Sequence, residues 1–135
     1  MKTLVVYYSK TGTTRKVAQT MIAAKSYDFD ELQYDEKAKT ISFARDPAEY
    51  DRVILLSPVW AFALADPMKQ YVAQHKSSIK QYDLVVTCGG FGLRGCVKNC
   101  LSSIGKPPEK AVKFRAKQVK RGDFSNKCDR VLFEN

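Results

Sequence analysis

Four hydroxyl side chains crowd around one glycine near the N-terminus. Ser9, Lys10, Thr11, Gly12, Thr13 and Thr14 run consecutively between an apolar stretch and a helix-patterned one. A helix start presents unpaired backbone N–H groups and the positive end of a dipole, so it favours an anion. The hydroxyls add donors without fixed charge, and Gly12 permits a sharp turn or a close approach. This chemistry suits a phosphate group; the alternative is an ordinary turn with Thr caps. The stretch is neither GxxxxGK[ST] nor GxGxxG, so Mg-nucleotide and dinucleotide sites lose their motifs.

Two more stretches carry chemistry. Ser57, Pro58, Val59, Trp60 and Ala61 lead through Phe62 to Leu64, directly after a buried apolar run. Trp60 and Phe62 either stack on a flat ring system at the mouth of a site or cover the edge of the core. Cys88, Gly89, Gly90, Phe91 and Gly92 open a segment with four glycines between 89 and 95. It is either a flexible connection or a place where backbone comes close to a ligand. Four cysteines occur without a CxxC pair, which disfavours thioredoxin-type chemistry and most zinc sites. Cys96 and Cys100 share a helix face and are expected to point at the core. His75 is the sole histidine and falls in a helical segment away from these loops. No catalytic side chain and no metal site is expected.

These stretches need elements to position them. Residues 2–8 are strand-like, and 15–25 carry Val17, Ala18, Met21 and Ile22 at helical spacing. Residues 27–34 alternate like a second, more exposed strand, whose acidic side chains suit a sheet edge. Residues 35–49 show no helical period; Ile41 and Phe43 fit one strand of a hairpin. Residues 53–57 and 84–88 are near-continuous apolar runs, as in strands buried on both faces. Each is entered through a Tyr-Asp pair, at 50–51 and 82–83. Asp66 is expected to cap a helix with Pro67 at its first position. Residues 94–104 form another helix, stopped by Gly105 and Pro107. Residues 111–119 alternate as a strand with a basic face of Lys113, Arg115 and Lys117. A last helix is expected from Ser125. Strand and helix alternate throughout, which predicts an α/β fold: three layers, with an open parallel five-stranded sheet between helices. In such sheets the ligand lies beyond the carboxyl ends of the strands. The three chemical stretches converge there.

The 135 residues suit one domain spanning 1–135. With 44% hydrophobic residues the chain has enough apolar side chains for a core. No apolar run approaches the roughly 18 residues of a membrane span. The start, MKTLVVYYSKTG, lacks a cleavage pattern, so a cytoplasmic, reducing setting is expected. Net charge is +9, divided as +1 over residues 1–65 (9 basic, 8 acidic) and +8 over 66–135 (14 basic, 6 acidic). A basic half attracts nucleic acid, an acidic membrane surface or an acidic protein, or simply aids solubility.

The hydroxyl stretch resembles the phosphate loop of the flavodoxin family, T-x-T-G-x-T, with Ser9 in place of the first Thr. SPVW at 57–60 and CGGFG at 88–92 are similar to the family's second and third loops. The resemblance runs nearly the whole chain in element order and implies sheet order 2-1-3-4-5. Flavodoxins are the standard example of ligand binding at the switch point, so this placement is inherited from the family. It further implies FMN, held noncovalently, with its phosphate on residues 9–14. The ring would lie between the second and third loops, with Trp60 and Phe91 against its faces and backbone of 57–61 and 89–92 at its edge. Electron transfer between redox partners would be the function, with flavin carrying the chemistry. The alternative is a small FMN-dependent NAD(P)H:quinone-type oxidoreductase, with Arg94 or Lys98 receiving a nicotinamide phosphate. A third possibility is a flavin-free module whose basic strand binds protein or nucleic acid; lack of interleaved aromatics makes nucleic acid the weaker choice. Flavodoxins are typically acidic and this chain is basic. The expected partner is therefore a redox protein with an acidic docking surface, without membrane insertion.

Overall fold

The computed structural model describes residues 2–122 and 124. Its elements are β1 (Thr3–Tyr7), α1 (Thr13–Lys25), β2 (Asp28–Glu31), β3 (Gln33–Asp35), β4 (Thr40–Ser42), a 3-10 turn (Pro47–Glu49), β5 (Arg52–Trp60), β6 (Ala63–Leu64), α2 (Asp66–Gln74), β7 (Gln81–Cys88), α3 (Leu93–Ile104), β8 (Ala111–Arg115) and α4 (Ala116–Arg121). Five parallel strands lie in the order β2-β1-β5-β7-β8. Counted along the five parallel strands alone, this is the expected order 2-1-3-4-5.

β5 and β7 are apolar on both faces because both faces are covered. Val53 and Leu55 join Met68, Tyr71, Val72, Cys96 and Cys100 of α2 and α3 in one core. Ile54 and Leu56 join Val17, Ala18 and Met21 of α1 and Val119 of α4 in the other. The fold is therefore three-layered, with the sheet sandwiched between helix pairs.

Several expectations are corrected. The segment 27–34 is two strands, broken where Leu32 turns into the core and donates its N–H to the Tyr7 carbonyl at 2.8 Å. β2 is an edge strand, yet Asp30 is only 4% exposed. Its carboxylate accepts the N–H groups of Ala44 and Arg45 at 2.9 Å each, fixing the irregular connection to β5. That connection contains the expected hairpin, β3 against β4, with Tyr34 opposite Ile41. Residues 116–119 are helical and not strand: Phe114 and Val119 both reach the core only if the chain turns after Arg115. Ala65, not Asp66, caps α2; Asp66 is already helical and makes no side-chain cap. The two Tyr-Asp pairs differ: Asp51 precedes its strand, whereas Asp83 lies within β7 and forms a buried ion pair with Arg52. The helix expected from Ser125, and Cys128, lie outside the described residues. Among the described residues no helix is long and apolar enough to cross a membrane.

Candidate functional site

The carboxyl ends of β1, β5 and β7 carry the three stretches to one side of the molecule. After β1, Gly12 takes a left-handed conformation (φ 98°) and starts α1 without a side-chain cap. The first N–H groups of α1 therefore face outward with no helical partner. Ser9 Oγ accepts the Gly12 N–H at 3.0 Å, closing the turn. Thr14 is buried, and its hydroxyl shares a 2.7 Å hydrogen bond with that of Thr87 on β7. Thr11 and Thr13 remain open to solvent to differing degrees.

The second stretch is not a loop as far as Trp60. β5 continues through Ser57, Pro58, Val59 and Trp60, turns at Ala61 and Phe62, and returns as β6. Ala61 and Phe62 have φ of 51° and 63°, the doubly left-handed turn that matches strand twist in tight hairpins. Such a conformation is strained for side chains other than glycine, and strain of this kind gathers at ligand sites. Ser57 is wholly buried; its Oγ accepts the Ala65 N–H at 3.1 Å and donates to the Pro58 carbonyl at 2.8 Å. Its hydroxyl thus sets the entry into α2.

Two clefts open at this edge and share Cys88 and Gly89 as lining. One, about 220 Å³, is lined by Lys10, Thr11, Thr13, Thr14, Pro58, Trp60, Thr87 and Ala116 besides the shared pair. The other, about 280 Å³, is lined by Val59, Ala61, Phe62, Gly90 and Phe91 with the same pair. Twelve of the sixteen expected residues line this composite cleft, Thr14 among them. Ser9, Gly12, Ser57 and Gly92 instead support it from behind. Gly92 caps α3 with φ 117°, and a Cβ there would collide with Val59. Trp60 stands edge-on to Tyr8 at 5.6 Å, under the Lys10 ammonium, on the hydroxyl side. The aromatic facing the same cleft as Phe91 is Phe62; the two are 81% and 71% exposed. Thr87 and Ala116 were not anticipated. Thr87 is the one hydroxyl in the apolar run 84–88, a signal available in the sequence; Ala116 depended on where β8 stops.

No Asp, Glu or His lines either cleft among the described residues. His75 ends α2, tilted against Tyr71 at 4.4 Å and edge-on to Phe43 at 4.6 Å. Beside the cleft, Arg15 forks onto Glu31 and holds its carboxyl below the usual range. Burial and the hydrogen bond to Glu31 push the Tyr7 hydroxyl up to about 12. Burial also pushes the Cys96 and Cys100 thiols up to about 11 and 12, so they stay protonated and unreactive at neutral pH. They are the expected core residues. Among the described residues no cluster fits a metal ion.

The donor set is therefore hydroxyls and backbone N–H groups at one end and an aromatic-flanked apolar slot at the other. A flavodoxin-domain family model matches residues 4–131. The chain belongs to the flavodoxin family. Among solved structures of this fold, a flavoprotein from Lactobacillus acidophilus NCFM in complex with FMN is 23% identical, with TM-score 0.72 over 89% of this chain and 97% of that one. The Trp repressor binding protein of Bacillus subtilis is 14% identical, with TM-score 0.71 over 96% and 98%. A Fusobacterium nucleatum flavodoxin bound to flavin mononucleotide is 13% identical, with TM-score 0.61 over 95% and 92%. No curated protein matches the chain.

Proposed function

We propose that this flavodoxin-family chain binds FMN and passes electrons between redox partners, one of which presents an acidic surface. One observation carries the reading: an anion cradle adjoins an aromatic-flanked slot, and among the described residues no Asp, Glu or His lines either. The first N–H groups of α1, with Thr11, Thr13 and Thr14, hold the phosphate. Phe62 and Phe91 shield the ring from water, and the backbone of residues 88–91 borders it. Bound FMN supplies a store of one or two electrons, and the protein tunes it. Buried, protonated thiols suit the reducing cytoplasm.

The test is a fluorescence titration of the apo chain with FMN and, separately, with riboflavin. Saturable quenching by FMN is expected, with riboflavin at least about tenfold weaker, because it lacks the phosphate that charge-assisted hydrogen bonds would hold. Equal affinities would remove the cradle from the site, and no quenching would remove the flavin. Steady oxidation of NAD(P)H by the loaded chain alone, with a quinone as acceptor, would instead favour the oxidoreductase alternative.

A further inference from the structure

The rim of the cleft is electrically two-sided. On the side of β1 and β2, Lys10 and Arg15 each face a carboxylate. Lys10 Nζ lies 3.3 Å from Glu36 and Arg15 2.7 Å from Glu31. The side of β7 and β8 is different. Arg115 ends β8 in register with Cys88, which lines the cleft. Lys117 follows Ala116, another lining residue. Arg94 lies in the first turn of α3, two residues past Gly92, and Lys98 one turn further. All four are exposed, and none forms an ion pair among the described residues. From residue 84 to 122 there are nine Lys or Arg against one acidic residue, Glu109. Glu109 precedes β8 and so lies at the opposite edge of the sheet from the cleft.

We propose that this β7–β8 rim is the docking face for a redox protein bearing an acidic patch, with Phe62 and Phe91 supplying apolar contact. The inference rests on the electron-carrier reading. An electron crosses between two proteins only when their redox centres come close, so the partner must seat at the cleft mouth. Each productive encounter moves one electron from one centre to the other, oxidising the donor and reducing the acceptor. Cations that face no carboxylate among the described residues steer an acidic partner over distances comparable to the Debye length. Lys10 and Arg15 attract less because each already faces a carboxylate, and this difference gives the encounter an orientation. Nucleic acid fits less well: these four cations gather at one cleft mouth and form no stripe along a backbone track.

The test follows reduction of the FMN-loaded chain by a dithionite-reduced, acidic plant-type [2Fe–2S] ferredoxin in stopped flow. FMN uptake is measured first for each variant. The expected second-order rate falls about tenfold or more between roughly 20 and 300 mM salt. The double variant R94E/K117E, compared with wild type at saturating FMN, loses about tenfold at low salt, as charge reversal at a steering surface requires. K76E, altering an exposed lysine just past α2, makes a single charge reversal away from the cleft and stays within about twofold of wild type. A rate indifferent to salt, or an equal loss in K76E, overturns the docking face alone. A chain that takes up no FMN overturns the carrier reading beneath it. Saturable binding of labelled duplex DNA at about 150 mM salt, abolished by R94E/K117E, would assign the rim to nucleic acid.

Discussion

Lys113 shows how one side chain reshapes the site. By alternation it belongs to a solvated basic face, yet it is half-buried, and its Nζ donates to the Gly90 carbonyl at 3.1 Å. Lys113 sits beside Val86 in register, so an ammonium on the neighbouring strand ties down the glycine-rich turn that ends in Phe91. A partly buried hydrogen bond from a charged donor contributes about 1 kcal/mol or somewhat more. Lys113→Met should therefore weaken FMN binding roughly fivefold to tenfold in titration, and Lys113→Arg should restore part of the loss. Unchanged affinity in Lys113→Met would mean that the turn holds its shape alone. The Thr14–Thr87 hydroxyl pair acts alike from the other side, linking the start of α1 to the end of β7.

At the scale of elements, the β5–β6 hairpin depends on α3. Asn99 Oδ1 accepts the Leu64 N–H at 3.0 Å, and a Cβ on Gly95 would run into the Phe62 carbonyl. The helix needs a glycine there because the hairpin tip packs directly on its backbone. Gly95→Ala would gain about 1 kcal/mol of helix propensity. Forcing the extra carbon into this contact costs about 1–3 kcal/mol. The balance predicts a lower urea midpoint together with weaker FMN binding, because Phe62 moves with the tip. A raised midpoint would show that the hairpin yields without cost. The hairpin itself was hidden in the sequence: Ala61 and Phe62 carry no Gly or Asn to announce a left-handed turn. Short alternating runs hid two further boundaries. Four residues after Arg115 fit strand or helix equally well, and the burial of Val119 decides for helix.

At the scale of the whole molecule, the uneven charge becomes a field across the cleft. Lys10 contributes little net charge because Glu36 faces it. Lys113, Arg94, Arg115 and Lys117 place positive charge on the other side. Positive charge favours an anionic reduced cofactor by the Coulomb effect that also lowers the pKa of a neighbouring acid. A redox titration of the FMN-loaded chain should give a second reduction step less negative than that of an acidic flavodoxin, and more so at low salt. An equally negative value would mean that solvent screens the rim completely.

The sequence by itself determined the three-layer α/β order, the buried central strands and the position of the three stretches at one sheet edge. These follow from local periodicity: apolar runs in β5 and β7, 3.6-residue spacing in α1, and Gly105 stopping α3. It also determined the hydroxyl-rich turn, whose donors are contiguous in the chain. Only the tertiary structure decided which side chains face the clefts. Ser57 turns inward to hold α2, Thr87 reaches Thr14, Phe62 and Phe91 line one cleft while Trp60 lines the other, and Asp30 serves the β2–β5 connection. Each of these is a contact between segments distant in sequence, fixed by strand register and packing, which no local pattern encodes.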